Sequence, residues 1–205
     1  AAAQHPTSPP TTDGRLDARL RDNDRALRTA YHATIASVRP ARAVTPAAEW
    51  LLDDFHLVEE QVRAIRIDLP PGFHRQLPKL IDGPLKGYPR VFGLAWAFVA
   101  HTDSRFDPQM LCRFVRAYQR VQPLTIGELW AVAITLRVVL VENLRRLAES
   151  IGSSQAARQE ADVLADRLLG VGGREADPAD AVLGHFEGPL PAAFAVQLVQ
   201  RLREQ

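Results

Sequence analysis

The stretch that decides the fold reads AAEWLLDDFHLVEEQVRAIRIDLPPGFHRQLPKL at residues 47–80, GYPRVFGLAWAFVAHTD at residues 87–103 and RFVRAYQRVQPLTIGELWAVAITLRVVLVENLRRLA at residues 113–148. Apolar residues recur every three to four positions in the first and third segments, which is typical of helices with one buried face. The middle segment is apolar on nearly all sides, which is typical of a helix buried in a bundle. We therefore predict an all-α fold, an irregular bundle of about seven or eight helices around an apolar central helix at about residues 89–101.

Proline, glycine and capping residues set the predicted helix boundaries. Thr125 and Glu128 have the spacing of a capping box at a helix start. Gly152-Ser153-Ser154 is expected to interrupt the helix that begins there, and no segment alternates polar and apolar residues as a strand does. The predicted helices cover about residues 13–39, 46–68, 89–101, 108–121, 126–149 and 155–169, a short segment after Pro178, and a last one from about residue 190.

Composition divides the chain into three regions. Residues 1–12 combine proline with serine and threonine and are expected to be a disordered tail. Residues 13–150 form the main helical domain, with an ordered, irregular connector at residues 73–88. Residues 151–205 are expected to be a C-terminal helical extension that packs on this domain or leads to the next one. The missing initiator methionine favours a piece of a longer protein.

Charge and cysteine usage exclude several classes of protein. The 205 residues are 46% hydrophobic with a net charge of +1, and the arginines of the first helix alternate with aspartates, so no nucleic-acid partner is expected. Cys112 is the sole cysteine, so an intrachain disulfide is excluded, and its apolar neighbours predict a small buried residue. The longest apolar run, residues 129–141, contains Arg137 and is shorter than the about 20 residues of a membrane span.

One predicted helix face carries a candidate polar site. Asp53, His56 and Glu60 lie three and four positions apart, which places them on the same face. An acid and a histidine at this spacing contribute to metal sites in bundles when a second helix repeats the pattern. No second helix repeats it, so we predict no metal ion and no cofactor. We interpret the face as a hydrogen-bond and ion-pair network and keep it as a candidate binding face.

The connector is a second candidate binding region. It carries cations and aromatic residues on a segment interrupted by proline and glycine. Loops held on a rigid scaffold are common contact sites. We therefore expect Arg75, Lys79, Tyr88 and Arg90 to face a partner.

Carboxylates beside aromatic residues raise the alternative of a carbohydrate-active helical enzyme. Its candidate acids are Glu59, Glu60 and Glu128. Glycoside hydrolysis needs two carboxylates opposed across a cleft, and no pattern places two there. Glu128 is explained by its capping box. The tryptophans fall on apolar helix faces and are expected to pack in the core: Trp50, Trp96 and Trp130.

A run of phrases resembles a known family. They are AEWLLDDFHLVEEQ (48–61), DLPPGFHRQLPKL (68–80), GYPRVF (87–92), HTDSRFD (101–107) and LTIGELWAVAITLRVVLVENLRRLA (124–148). These phrases resemble the N-terminal region of the cyclic β-1,2-glucan synthases of proteobacteria, which are large multi-domain enzymes of the inner membrane. None of the phrases is a catalytic signature, so no catalytic residue is carried onto this chain.

The resemblance implies a parent protein that makes and cyclises β-1,2-glucan from UDP-glucose. Its glucosyltransferase, cyclising and phosphorylase-like domains would lie outside these residues. The segment itself is expected to be a non-catalytic accessory domain that contacts other domains of the same polypeptide. It is expected on the cytoplasmic side of the inner membrane, near the membrane surface. A free-standing helical interaction protein is the other alternative.

Overall fold

The computed structural model describes residues 7–8, 15–37, 45–70, 72–171, 177–178 and 188–203. Of the residues within these ranges, 76% are helical, which confirms the predicted all-α class. The α-helices within these ranges are α1 (Arg15–Ser37), α2 (Pro46–Asp53), α3 (Phe55–Asp68), α4 (Arg90–His101), α5 (Pro108–Gln119), α6 (Ile126–Leu168) and α7 (Ala192–Arg203). The other described elements are a 3-10 helix at Phe73–Gln76 and two short strands, β1 (Thr7–Ser8) and β2 (Lys79–Leu80). No described helix, α6 included, has the apolar length that a membrane crossing requires.

Helix α4 is the centre of the main core, as its apolar sequence predicts. Eight of its 12 residues are buried, and Phe92 has no exposed surface. Leucines of α1 and aliphatic residues of α3 and α6 complete this core. The predicted central helix at about residues 89–101 is thus observed at Arg90–His101.

The predicted helix at residues 46–68 is divided in two at Asp54. Thr45 caps α2, with its side chain accepting a hydrogen bond from the Ala48 amide. Asp54 has φ −103° and ψ 10°, and α3 begins at the next residue. Asp53 and Asp54 are weak helix formers because their carboxylates compete for backbone groups, which makes this the favourable place for a break.

The expected interruption at residues 152–154 is wrong, because α6 is one continuous helix of 43 residues. One glycine costs a helix only about 1 kcal/mol, and burial on both sides of it outweighs that cost. Ala148 belongs to the main core, while Ala157 and Leu164 pack with Phe194 of α7 in a second cluster. The domain boundary near residue 150 stays a prediction.

Two residues of the predicted disordered tail form a strand. Thr7 pairs with Leu80 and Ser8 with Lys79 in antiparallel register. The expectation of disorder fails for these two residues, because β2 presents backbone groups that an extended segment can satisfy. The other residues of 1–12 lie outside the described residues, as does the segment after Pro178 that was predicted to be helical.

Gly152 offers a test of the continuous α6. No described atom lies within 4 Å of the place that a Cβ would take, so alanine fits there. Gly152→Ala should raise the free energy of unfolding by about 0.4 to 1 kcal/mol, because alanine loses less conformational freedom than glycine in a helix. Urea denaturation followed by circular dichroism measures this change. Gly72→Ala is the control and should lower stability, since Gly72 has φ 81°. A loss of stability in Gly152→Ala would contradict helical backbone at this position.

Candidate functional site

The polar face predicted on residues 46–68 stays at the surface. Asp53 ends α2, whereas His56 and Glu60 lie on α3, and all three are exposed. His56 Nδ1 lies 3.2 Å from the backbone oxygen of Asp53, so the ring contacts its own segment. Within the described ranges, no three His, Cys, Asp or Glu side chains are grouped as metal ligands. A binding role for this face stays a prediction.

Other residues of α3 make the ion pairs that join it to α1. Arg66 Nη2 lies 2.7 Å from Asp24 Oδ2, and Arg28 pairs with both Asp24 and Glu59. Glu59, a candidate acid of the enzyme alternative, is therefore engaged in an interhelical ion pair. The α1–α3 contact therefore carries an ion-pair network, and its members are not Asp53, His56 and Glu60, for which the predicted network stays a prediction.

The connector residues divide into outward and inward groups. Arg75 is exposed and Tyr88 is partly buried. Lys79 and Arg90 are only 2% and 4% exposed, so the expectation that they face a partner is wrong. Arg90 turns inward because a buried carboxylate on α6 receives it, and Lys79 lies within the strand pair.

Arg90 and Glu128 form a buried ion pair that joins α4 to α6. Arg90 Nε and Nη2 donate to the two Glu128 oxygens at 2.8 and 2.5 Å, a bidentate geometry. The Thr125 amide donates to Glu128 Oε2 at 2.9 Å, while Thr125 Oγ1 accepts from the Glu128 amide at 3.2 Å. The predicted capping box is confirmed, and its glutamate also neutralises Arg90.

A second buried carboxylate, Glu142 of α6, lies among arginines. Arg19 Nε and Nη2 donate to its two oxygens at 3.0 and 2.9 Å, and Arg145 Nη2 donates to Oε1 at 3.1 Å. Arg19 Nη1 also donates to the Tyr88 hydroxyl at 3.1 Å. Arg19, one of the arginines that alternate with aspartates in the first helix, thus joins α1 to α6 and to the connector.

Aromatic rings of the connector and α4 surround the Arg19 guanidinium. The Cζ atom of Arg19 lies 5.3 Å from the centre of the Tyr88 ring, 5.8 Å from that of Phe92 and 5.6 Å from that of Trp96. Arg146 lies over the Trp96 ring at 4.5 Å. Cation–π attraction holds these groups together, so the rings serve to position arginines.

The Glu142 carboxylate should make stability depend on acidic pH. Burial by itself raises its pKa, but the nearby Asn23 amide and the guanidinium groups of Arg145 and Arg19 outweigh burial, so the pKa lies below its ordinary value. A group whose pKa is lower in the folded state stabilises the fold fully above its unfolded pKa, about 4.3 for glutamate. That contribution is lost as the pH falls through the lowered pKa.

We therefore expect the advantage of the unmodified chain over Glu142→Gln to be largest at neutral pH and to shrink below about pH 4. Urea denaturation of both proteins at about pH 7 and about pH 3 measures the difference in free energy of unfolding. An advantage that is the same at both values would show that the ionised carboxylate is not the stabilising species.

Three residues expected to be buried are exposed. Trp50 is 45% and Trp130 is 81% exposed, and Cys112 also lies at the surface. Trp130 shares its outward face of α6 with Ile126, one turn earlier, which is 77% exposed. Apolar spacing along a helix predicts a face that contacts other residues. It does not distinguish a contact inside the same chain from a contact with another domain or protein.

The chain is similar in sequence to a known protein of the family that its phrases resemble. No protein-family model matches the chain. The chain is 41% identical over 191 residues to the "Cyclic beta-(1,2)-glucan synthase NdvB" of Rhizobium meliloti (strain 1021). The match covers 91% of this chain and 6% of that relative, so the chain spans a small fraction of the relative's length. The chain is therefore related to one region of a cyclic β-(1,2)-glucan synthase.

Proposed function

We propose that this chain is a non-catalytic helical accessory domain of a membrane-bound cyclic β-1,2-glucan synthase. The parent protein makes and cyclises β-1,2-glucan from UDP-glucose with its other domains, and this segment contacts those domains on the cytoplasmic side of the inner membrane. The similarity to one region of NdvB supports the parentage. The engagement of both buried carboxylates of α6 in ion pairs supports the non-catalytic role.

Both buried glutamates of α6 are engaged in structural ion pairs. Glu128 is 0% and Glu142 1% exposed, and arginines bind both oxygens of each. A general acid needs a pKa raised toward the working pH, whereas the pKa of Glu142 is lowered by the Asn23 amide, Arg145 and Arg19 despite its burial. A glutamate that stays ionised and paired does not donate a proton to a leaving group.

Outward apolar side chains provide the surface for contact with other domains. Ile126 and Trp130 on α6 are 77% and 81% exposed, and Val196 on α7 is 67% exposed. Exposed apolar residues that share a helix face are typical of protein contact sites. The accessory domain thus has a rigid core with contact residues on the outside of two of its helices.

The test is complementation in membranes that carry the full-length synthase. A synthase lacking residues 15–203 should lose glucan production from labelled UDP-glucose, and the chain supplied in trans should restore it. The chain with Ile126→Ser and Trp130→Ser should fail to restore production while remaining folded by circular dichroism. Ile67→Ser, at another residue that is 73% exposed, is the matched control and should restore it.

Two outcomes would overturn the proposal. One is unchanged glucan production in the synthase that lacks the segment. The other is turnover of UDP-glucose or of β-1,2-glucan by the purified chain, abolished in a folded Glu142→Gln variant, which would favour the enzyme alternative.

A further inference from the structure

Helix α5 carries a row of arginines on its outward face. Arg113 and Arg116 lie within the helix, and Arg120 is the residue that caps its C-terminal end. Their spacing of three and four positions places all three on one side of the helix, within about 11 Å along its axis. All three are exposed, whereas Tyr118, on the opposite face of α5, is buried. The outward face of α5 is therefore a compact row of positive charge.

The charges of this row are not neutralised by carboxylates of the described residues. None of the three guanidinium groups has an ion-pair or hydrogen-bond partner there, and α5 itself contains no acidic residue. Asp107, the acid that precedes α5, accepts hydrogen bonds from backbone amides of the first turn. On α1, by contrast, Arg25 pairs with Asp22 and Arg28 with Asp24. The row on α5 is thus available to an anionic partner.

Charge is divided unevenly between this segment and the rest of the chain. Residues 108–127 contain the three arginines and no acidic residue, a charge of +3, whereas the whole chain has a net charge of +1. The remaining residues therefore carry a net charge of −2. Because an anionic surface attracts the first part and weakly repels the second, it orients the chain with α5 toward the surface.

Exposed apolar side chains lie at both ends of the arginine row. Phe106, two residues before α5, is 61% exposed, and Val121, directly after Arg120, is 64% exposed. Arginines flanked by apolar side chains match the boundary between headgroups and acyl chains of a bilayer, where phosphates and an apolar layer lie side by side. A nucleic acid presents phosphates to a helix surface without such a layer. The combination therefore favours a lipid surface.

We propose that the outward face of α5 docks on the anionic surface of a phospholipid bilayer. Arg113, Arg116 and Arg120 pair with lipid phosphates, while Phe106 and Val121 enter the headgroup boundary. Each arginine near an anionic membrane surface strengthens binding about fivefold, so the row contributes on the order of a hundredfold. This contact goes beyond the proposed function, which assigns contacts with other domains to α6 and α7, and it does not depend on that function.

The test is co-sedimentation of the full chain with lipid vesicles. One kind contains phosphatidylglycerol and phosphatidylcholine in equal parts, and the other contains phosphatidylcholine alone. We expect much tighter binding to the anionic vesicles, and binding that weakens as salt is added, because salt screens exposed charges. The triple variant Arg113→Gln, Arg116→Gln and Arg120→Gln should bind on the order of a hundredfold more weakly.

A second triple variant is the matched control. It removes the same charge from exposed positions of α1 and α3 through Arg21→Gln, Arg25→Gln and Arg63→Gln, and it should keep most of the affinity. Circular dichroism checks that each variant is folded. Arg116→Gln alone, expected to lose about fivefold, replaces the α5 triple variant if that variant does not fold.

Phe106→Ser with Val121→Ser tests the apolar part of the contact. This variant should bind the anionic vesicles about tenfold more weakly, because less apolar surface leaves water at the headgroup boundary. An unchanged affinity would overturn the assignment of these two residues to the bilayer.

Three other results would overturn the proposal as a whole. One is binding to neither kind of vesicle, or equally to both. Another is an equal loss of affinity in the two triple variants, since net charge rather than the row on α5 would then be responsible. The third is binding to poly-L-glutamate but not to the anionic vesicles, which would identify an acidic polypeptide as the partner. None of these results bears on the accessory role, which is tested by glucan production.

Discussion

Replacing Arg90 by methionine is expected to lower the free energy of unfolding by about 3 to 5 kcal/mol, because Glu128 is left buried without its cation. Methionine fills much of the same volume, so lost packing contributes little to the effect. Arg90 and Glu128 are 4% and 0% exposed, and no solvent reaches Glu128 to stabilise its charge. Urea denaturation of the purified chain measures the change.

Arg90→Met with Glu128→Gln separates loss of the pair from loss of the helix cap. Glutamine still serves at the third position of a capping box but has no charge to bury. The double variant should therefore be more stable than Arg90→Met alone. Arg137→Met removes the surface pair with Asp68 and should cost less than about 1 kcal/mol. A comparably small loss in Arg90→Met would show that the buried pair contributes little.

The parts of the fold that the sequence predicts are those with local signals. Helix α4 is apolar on nearly every side, and this identifies a central helix without reference to any other segment. The start of α6 depends on Thr125 and Glu128, three positions apart. The continuity of α6 through Gly152 has no local signal, because it depends on cores that α1, α4 and α7 build on either side. Tertiary packing outweighs helix propensity there.

The ion pairs of the candidate site were missed because their partners are far apart in the chain. Glu128 follows Arg90 by 38 positions, and Glu142 follows Arg19 by 123. A pattern read along one helix shows which residues share a face, but not which face another helix covers. The exposed Trp130 reflects the same limit, since a core face and a face that contacts another domain have the same apolar spacing.

The second large effect is expected at Phe92, where alanine should lower the free energy of unfolding by about 3 to 5 kcal/mol. Phe92 is 0% exposed and lies between two rings, with centroids 5.1 Å from Tyr88 and 6.0 Å from Trp96. Its removal leaves a cavity that the surrounding α4 backbone cannot close. Urea denaturation gives the loss, and Trp96→Ala is the comparison within the same helix.

Trp96 is only partly buried and lies beside Arg19 and Arg146, so its loss should cost less although tryptophan is larger. A greater loss at Trp96 than at Phe92 would mean that the arginine and tryptophan contacts, rather than the apolar interior of α4, supply most of the stability of this core.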